Sequence, residues 1–441
     1  MEPKLWLEKT LKIGRAIIPR SIFTAAQPIY HFLLALLGAI IYRFPSRQLY
    51  VLAVTGTKGK TSTIEVANAI LEAAGKKTAI ASTLRIKIDA SSQPNKFKMT
   101  IQGRFFLQRF LREAVKAGCT HALIELTSEG AKQFRHRFIA LDALIFTNLA
   151  REHIEAHGSY ENYLLAKLSI ATALANSRKP NKLMIVNGDD PVSEKFLATV
   201  GNQATGVKYS LNQAKPWQAS ENGGSLTFKS TEIRTKLPGT FNLQNILAAA
   251  TWAQRNNINI ETIKIGIENL KMIGGRMERI EGKGFPVIVD YAHTPESLQA
   301  VYQTFAGRGK VCLLGSTGGG RDRWKRPVMG RIAGEHCRVV ILANEDPYDE
   351  DPVAIVNEIA RGMSSTKPQI VLDRRTAIRA ALLEAKPGEV VIITGKGTDP
   401  YIMGPKGQRT PWSDAEVVKE ELEKLEAKSQ KLSSHARTPR S

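Results

Sequence analysis

The stretch VLAVTGTKGKTST at 51–63 constrains this chain more than any other. Residues 51–54 are continuously apolar and predict a short buried strand; from 62 to 74 the apolar spacing turns helical. Between them lies Gly56-Thr57-Lys58-Gly59-Lys60-Thr61. Strand, glycine loop and helix together are the setting of a phosphate-binding loop. Gly56 and Gly59 let backbone N–H groups approach anionic oxygens with no Cβ in the way. The N-terminus of the helix adds partial positive charge. Lys60 can reach β- and γ-phosphates, and the Thr61 hydroxyl can ligate Mg²⁺. Thr57, Lys58 and Ser62 complete the nucleotide-binding run, Ser62 as a first-turn helix residue. The alternative, an ordinary glycine turn with a solvated lysine, needs no such flanking strand and helix. The loop identifies a nucleoside triphosphate and leaves open what its energy is used for.

A chain of 441 residues calls for two or three domains, and 43% hydrophobic residues suffice for a sizeable core. Against 41 acidic residues stand 62 basic ones, a formal charge of +21 that favours anionic partners. No RNA-binding or zinc-finger pattern accompanies that charge, so no nucleic acid is expected as a partner. Cys119, Cys312 and Cys337 are too far apart in sequence for a metal knuckle and are expected to be reduced thiols of a cytoplasmic protein.

Residues 1–49 form a basic and apolar N-terminal segment. Lys4, Lys9, Lys12, Arg15 and Arg20 are interleaved with Leu5, Trp6, Leu7, Leu11, Ile13 and Ile17; residues 30–42 are almost continuously apolar, and Arg43 and Arg47 close the run. The run is short for a membrane span, Pro28 and His31 interrupt its upstream extension, and no small-residue cleavage site follows it. Two readings stand: a pair of helices packed on the next domain, or an amphipathic anchor lying on an anionic membrane surface. From 50 to 274, apolar runs such as 121–126, 143–148 and 182–187 alternate with helical stretches, the pattern of an α/β domain with a mostly parallel sheet. The turn NGDDP at 187–191 sits at a strand's C-terminal end, where ligands of such sheets bind. Residues 208–237 read as a small antiparallel insertion. From 275 to 425 a second α/β pattern follows, with strands at 287–290, 311–315, 339–342 and 390–394. Residues 426–441 read as a disordered tail.

Further motifs bear on chemistry. Glu125, in LIELTSEG, is a carboxylate at a strand terminus, a natural Mg²⁺ ligand beside a phosphate loop. After it come TNLAREHIEAHG at 147–158, Glu161-Asn162-Tyr163, Ala166-Lys167, GTFNLQN at 239–245, GRMER at 275–279, DYAHTP at 290–295 and GSTGGGRDRWKRP at 315–327. This ordered set, over about residues 50–412, resembles the Mur ligases of peptidoglycan synthesis, in particular the type that adds a diamino acid to a UDP-N-acetylmuramoyl-dipeptide. The resemblance implies a central P-loop ATPase domain, a C-terminal Rossmann-like domain, and an ATP-dependent amide ligase with two Mg²⁺ ions. It implies phosphoryl transfer to a substrate carboxylate, then attack of an amine on the acyl phosphate.

Residue roles follow from the same resemblance. Lys60 and Thr61 match the phosphate and Mg²⁺ contacts; Glu125 and His153 match metal ligands. Lys167 matches a lysine that is carbamylated in many members, which would give hard Mg²⁺ anionic oxygens in place of a repelling cation. Asn242 and Asn245 match the adenine-contacting segment, and Arg276 and Asp290 the second domain's contacts to phosphate and ribose. Lys60, Lys167 and Arg276 are thereby the implied catalytic groups. On the substrate side stand Thr100, Thr127, Ser128, Arg135, His293, Asp346, Tyr348, Asp349 and Asp399.

The sequence departs from the family pattern at three places. Lys58 replaces the usual asparagine. Thr127-Ser128-Glu129 replaces Ser-Ser-His, with Arg135 restoring the downstream arginine. Residues 1–49 are shorter than the usual uridine-nucleotide domain. In the amino-acid-selecting loop, EDPYDEDP at 345–352, Tyr348 stands where diaminopimelate enzymes carry an arginine; in GKGTDPY at 395–401, Asp399 stands where lysine-type enzymes carry a glutamate. L-lysine or ornithine is therefore the expected amine, with a distal ammonium against carboxylates. The alternatives are a folylpolyglutamate-synthetase-like ligase, an amide ligase of another polymer, and a membrane-associated, nucleotide-regulated protein with no activity.

Overall fold

In the computed structural model, residues 20–97, 99–101, 103–152, 154–364 and 366–435 are described. The readings made for residues 1–19, His153 and residues 436–441 lie outside them.

Continuous apolar runs form the first sheet because strands covered on both faces have no solvent side to keep polar. Its strands are β1 (Tyr50–Thr55), β2 (Thr78–Ala81), β3 (Arg85–Ile88), β4 (Ser91–Pro94), β5 (His121–Glu125), β6 (Ala143–Phe146), β7 (Leu183–Asn187) and β8 (Thr205–Tyr209), in the order β4-β3-β2-β5-β1-β6-β7-β8. Pairing is parallel from β2 to β8, and antiparallel at β3 and β4. Strand side chains alternate between faces. Leu52 and Val54 pack with the Lys60–Ala73, Thr240–Arg255 and Ile260–Asn269 helices; Val51 and Ala53 pack with Arg104–Lys116, Tyr160–Ala175 and Ser193–Val200. At Gly266 the Ile260–Asn269 helix comes so close to its neighbour that a Cβ would stand 2.6 Å from the Ile70 Cα. β9 (Trp217–Ser220), β10 (Gly223–Phe228) and β11 (Thr231–Thr235) form the expected antiparallel insertion, although the start of that stretch belongs to β8 of the main sheet.

The second sheet comprises β12 (Glu278–Glu281), β13 (Pro286–Asp290), β14 (Lys310–Leu314), β15 (Val339–Leu342), β16 (Gln369–Ile370) and β17 (Val390–Thr394), ordered β12-β13-β17-β14-β15-β16. Only β12 pairs antiparallel. Helices Pro295–Thr304, Lys325–His336 and Pro352–Ala360 cover one face, and Arg374–Glu384 and Asp414–His435 the other. The protein is thus α/β, with two mainly parallel sheets.

Three sequence expectations are corrected. Cys312 and Cys337 are not reduced thiols but a disulfide, because the crossover after β14 returns the chain until their Cα atoms are 6.0 Å apart; Cys119 remains a buried free thiol. Pro28 does not interrupt the N-terminal helix, which runs from Arg20 to Ile41 with Pro28 inside it. A helical proline forfeits a hydrogen bond, and here Ala35, Gly38 and Ala39 of that helix are buried against Arg104–Lys116. The expected tail is helical as far as His435: EELEKLEAKSQ is built of strong helix formers, and Asp414 and Glu416 sit in the positive first turn.

One contact ties that last helix to the second sheet. Arg374 and Asp414 are both fully buried, with Nε and Nη2 donating to the carboxylate at 2.8 and 2.7 Å, and Nη2 also reaching the Thr394 carbonyl at 2.8 Å. Arg374→Ala strands the Asp414 charge and is expected to cost about 3–5 kcal/mol, read as a lowered denaturant midpoint. A change below about 1 kcal/mol would remove this pair from the forces holding the helix.

Candidate active site

Parallel sheets present their ligand sites at the C-terminal strand ends. β1 lies between β5 and β6, so the loop at 56–61 emerges between the ends of both. Gly56 has φ +146°, and a Cβ there would lie 1.9 Å from the Thr147 Oγ1; Gly59, at φ +81°, would place one 2.2 Å from the Asn245 Oδ1. Both positions exclude a side chain. The loop is laced to the end of β6. Thr57 N–H donates to the Asn148 carbonyl (2.8 Å), Lys58 N–H to Asn148 Oδ1 (2.9 Å), and the Thr147 hydroxyl to the Lys58 carbonyl (2.6 Å). The Thr57 hydroxyl meets Tyr163 OH at 2.9 Å and accepts from the Ala150 N–H at 3.0 Å.

Lys60 Nζ donates to the Gly56 and Thr57 carbonyls at 3.1 and 2.9 Å and stands 3.9 Å from Glu125 Oε1. The Thr61 hydroxyl donates to Glu125 Oε2 at 2.9 Å, as does the Thr83 N–H. Thr83 in turn meets the Thr100 hydroxyl at 2.9 Å. Lys167, buried in the Tyr160–Ala175 helix, donates to the Gly56 carbonyl at 2.7 Å and lies 4.9 Å from the Tyr163 ring centroid. Burial first, then the Lys60 charge, hold the Lys167 amine well below the usual lysine range. Burial likewise lowers Lys58 and Lys60. Lys60, Thr61, Glu125 and Lys167 therefore converge on one loop.

The second lobe meets this loop through Glu152. Its carboxylate accepts from Lys58 Nζ at 3.0 Å and lies 3.1 Å from His293 Nε2 and 4.0 Å from Lys325 Nζ. His293 Nδ1 donates to the Tyr291 carbonyl at 2.7 Å. Arg276 stacks over the Tyr291 ring at 4.4 Å. Beside these groups opens a cavity of about 120 Å³ lined by, among others, Glu155, Arg321, Glu345, Asp346, Tyr348 and Asp399.

Other named residues have structural partners. Asp290 accepts the Met277 and Ala292 N–H groups, both at 2.7 Å, and so fixes the loop that carries Arg276; burial pushes its carboxyl up. Asn242 donates to the Pro238 carbonyl and accepts from Asn245, which buttresses Gly59. Thr127 caps the Ser128–Lys132 helix by accepting the Gly130 N–H. Ser128 meets His157 Nε2 at 3.1 Å. Arg135 donates to the Ile101 carbonyl and to Gln133 Oε1. Asp349 accepts the Lys406 N–H at 2.7 Å and does not line the cavity. Ser62 is buried in the first helical turn.

Lys396 was not singled out from the sequence. Fully buried, it donates to both Asp346 oxygens at 2.9 and 3.0 Å and to Asp399 at 3.3 Å. Its only sequence signal is its place between two glycines after a buried strand. Glu152 was legible only as the residue before His153, and Arg321 and Lys325 only as charges in a glycine-rich turn.

Among the described residues no three His, Cys, Asp or Glu side chains form a cage. Mg²⁺ does not require one: it takes one or two carboxylates, phosphate oxygens and water, and Thr61 with Glu125 fits that donor set.

A phosphate loop in one α/β lobe, faced by cationic and carboxylate groups of a second, defines a two-lobed P-loop enzyme. Residues 54–253 match the Mur ligase middle domain, and residues 275–397 match the Mur ligase glutamate ligase domain. The chain is 34% identical over 420 residues to a UDP-N-acetylmuramyl-tripeptide synthetase of Roseiflexus sp., covering 89% of this chain and 82% of that one. It is 33% identical over 405 residues to a UDP-N-acetylmuramoyl-L-alanyl-D-glutamate–2,6-diaminopimelate ligase of Bacillus cereus, covering 88% and 81%. In fold it is similar to a Mycobacterium tuberculosis folylpolyglutamate synthase solved with ADP and AMPPCP, at TM-score 0.69 and 16% identity, covering 85% of this chain and 97% of that one. The chain belongs to the Mur ligase family, and it is an ATP-dependent acid–amino acid ligase.

Proposed function

We propose that this enzyme joins a diamino acid, with L-lysine preferred, to the terminal carboxylate of a UDP-N-acetylmuramoyl-dipeptide or a closely related anionic acceptor. The observation that carries the reading is the convergence of Lys60, Thr61, Glu125 and Lys167 on the Gly56 loop, opposite a cavity lined by the second lobe.

In this reading the backbone of residues 56–61 cradles the ATP phosphates, and Lys60 balances charge on the γ-phosphoryl group as it moves to the acceptor carboxylate. Mg²⁺ held by Thr61 and Glu125 would supply further neutralisation of phosphate charge. Lys167 is suited to carbamylation because burial disfavours its charged form, and the uncharged amine has the lone pair needed to attack carbon dioxide. Asn242 and Asn245 border the adenine side of the loop, and Asp290 positions Arg276 toward the phosphates. The cavity between the lobes holds the amine, so that its attack on the acyl phosphate proceeds with water excluded.

The lysine preference is supported by Tyr348, which lines the cavity where an arginine would grip a distal carboxylate. Arg321 lines the same cavity, but its guanidinium is engaged by Glu129 at 3.2 Å and faces Glu155 at 3.7 Å. Lys396 offsets part of the negative charge of Asp346 and Asp399, so discrimination is expected to be modest, about tenfold, the worth of one like-charge contact. The test is phosphate release dependent on both acceptor and amine, with L-lysine, L-ornithine and meso-diaminopimelate at matched concentrations. A lysine preference that falls in Asp399→Asn supports the assignment, and a diaminopimelate preference overturns it. ATP turnover independent of acceptor and amine would overturn the ligase reaction itself.

A further inference from the structure

The Arg20–Ile41 helix has two dissimilar faces. On the inner one, Ala35, Gly38 and Ala39 are buried, His31 is hydrogen-bonded to Arg104, and Arg112 donates to the Tyr42 and Arg43 carbonyls. The Phe32 ring meets Phe138 edge-on, with centroids 5.2 Å apart. These contacts fix the helix flat against the first lobe. On the outer face Ile29, Leu33, Leu37 and Ile40 recur at three- and four-residue spacing and are 66%, 56%, 47% and 53% exposed; Tyr30 and Ile41 flank them, also exposed. A contiguous apolar stripe of this kind on a protein surface marks an interaction site.

The charges that flank the stripe in sequence have one sign. From Lys9 to Ile64 the sequence contains no aspartate or glutamate; Lys9, Lys12, Arg15 and Arg20 precede the stripe, and Arg43 and Arg47 follow it. Arg43 and Arg47 are exposed. Apolar side chains pointing away from the body, with the exposed Arg43 and Arg47 following them, match an anionic bilayer: acyl chains beneath, negative headgroups at the rim. No helix among the described residues is long and apolar enough to cross a membrane, and the pinned inner face holds this one parallel to the lobe's surface.

We propose that the outer face of the Arg20–Ile41 helix docks the enzyme on an anionic lipid bilayer, with Ile29, Leu33, Leu37 and Ile40 inserted between headgroups and Arg43 and Arg47 against lipid phosphates. This surface lies on the helix that packs against Arg104–Lys116, apart from the phosphate loop, so docking and catalysis are separable.

The test is co-sedimentation of the full-length protein with phosphatidylcholine vesicles, with and without 30% phosphatidylglycerol, at low and high salt. Binding at least about tenfold stronger to the anionic vesicles, released by salt, is expected. Leu33→Asp/Leu37→Asp should abolish it, and Arg43→Gln/Arg47→Gln should weaken it at least about tenfold, while ATP-dependent phosphate release stays at the parent level in both. No binding to anionic vesicles, or binding unchanged by Leu33→Asp/Leu37→Asp, overturns the proposal. So does a dimer in sedimentation velocity that Leu33→Asp/Leu37→Asp disperses while vesicles remain unbound, because the face would then be an interface between copies of the chain.

Discussion

Lys60→Ala is expected to lower amine-dependent phosphate release by 10²-fold or more, with folding retained. The Lys60 ammonium lies within the phosphate loop, 3.9 Å from the Glu125 carboxylate and bonded to the Gly56 and Thr57 carbonyls. A preorganised cation at the position where charge moves between oxygens contributes several kcal/mol to such a transition state. The loop does not depend on that amine for its shape, since Asn148, Thr147 and Tyr163 hold it through separate hydrogen bonds. The loss should therefore fall on kcat, with an unchanged circular dichroism spectrum. Activity within threefold of the parent enzyme would place Lys60 outside the phosphoryl-transfer step.

Lys167→Ala is expected to abolish ligation to a comparable degree, again without unfolding, because the amine's one described hydrogen bond goes to the Gly56 carbonyl. Its distinguishing property is chemical rescue. Removing the side chain leaves a void beside the Gly56 loop into which formate or acetate could bring the oxygens that a carbamate would provide. Partial recovery with short carboxylic acids, and none with chloride at equal ionic strength, is the expected result. Mass spectrometry of the intact parent protein under bicarbonate gives an independent reading, an added carbon dioxide that is absent from the alanine variant. Full activity of Lys167→Ala without additives would remove Lys167 from the site.

Local patterns carried most of what the sequence revealed. The phosphate loop, the buried strands and the antiparallel insertion are written in runs of a few residues; the structure realises the strands at close to their expected bounds and starts the insertion's sheet later, at Trp217. Contacts made across the chain were less accessible. Lys58 and Glu152 are 94 residues apart, and nothing near either residue announces the ion pair or its extension to His293. Cys312 and Cys337 illustrate the same difficulty, since their pairing depends on where a crossover helix ends. Polar residues at strand and helix ends carry structural bonds that the sequence does not announce: Thr127 is a helix cap, and the two Asp290 oxygens accept backbone N–H groups. Such positions attract the same residue types for capping as for binding. Lys396 shows the converse, a cation whose complete burial no local pattern announces.

The Asp414–His435 helix follows every strand of the second sheet in the chain, yet Val417, Val418 and Leu422 belong to the core that covers one face of that sheet. Until those residues have left the ribosome, that face is covered by Arg374–Glu384 alone, its β12 and β13 side lies bare, and Arg374 lacks its counter-ion. The first sheet faces no such delay, because its strands and all the helices packed on them are in place by Asn269. Synthesis therefore imposes an order of assembly: the phosphate-loop lobe can close while translation continues, whereas its partner must wait with one side of a sheet face uncovered. The bare side is exposed to aggregation for that interval, whose length is set by the distance between β17 and the helix that completes the face.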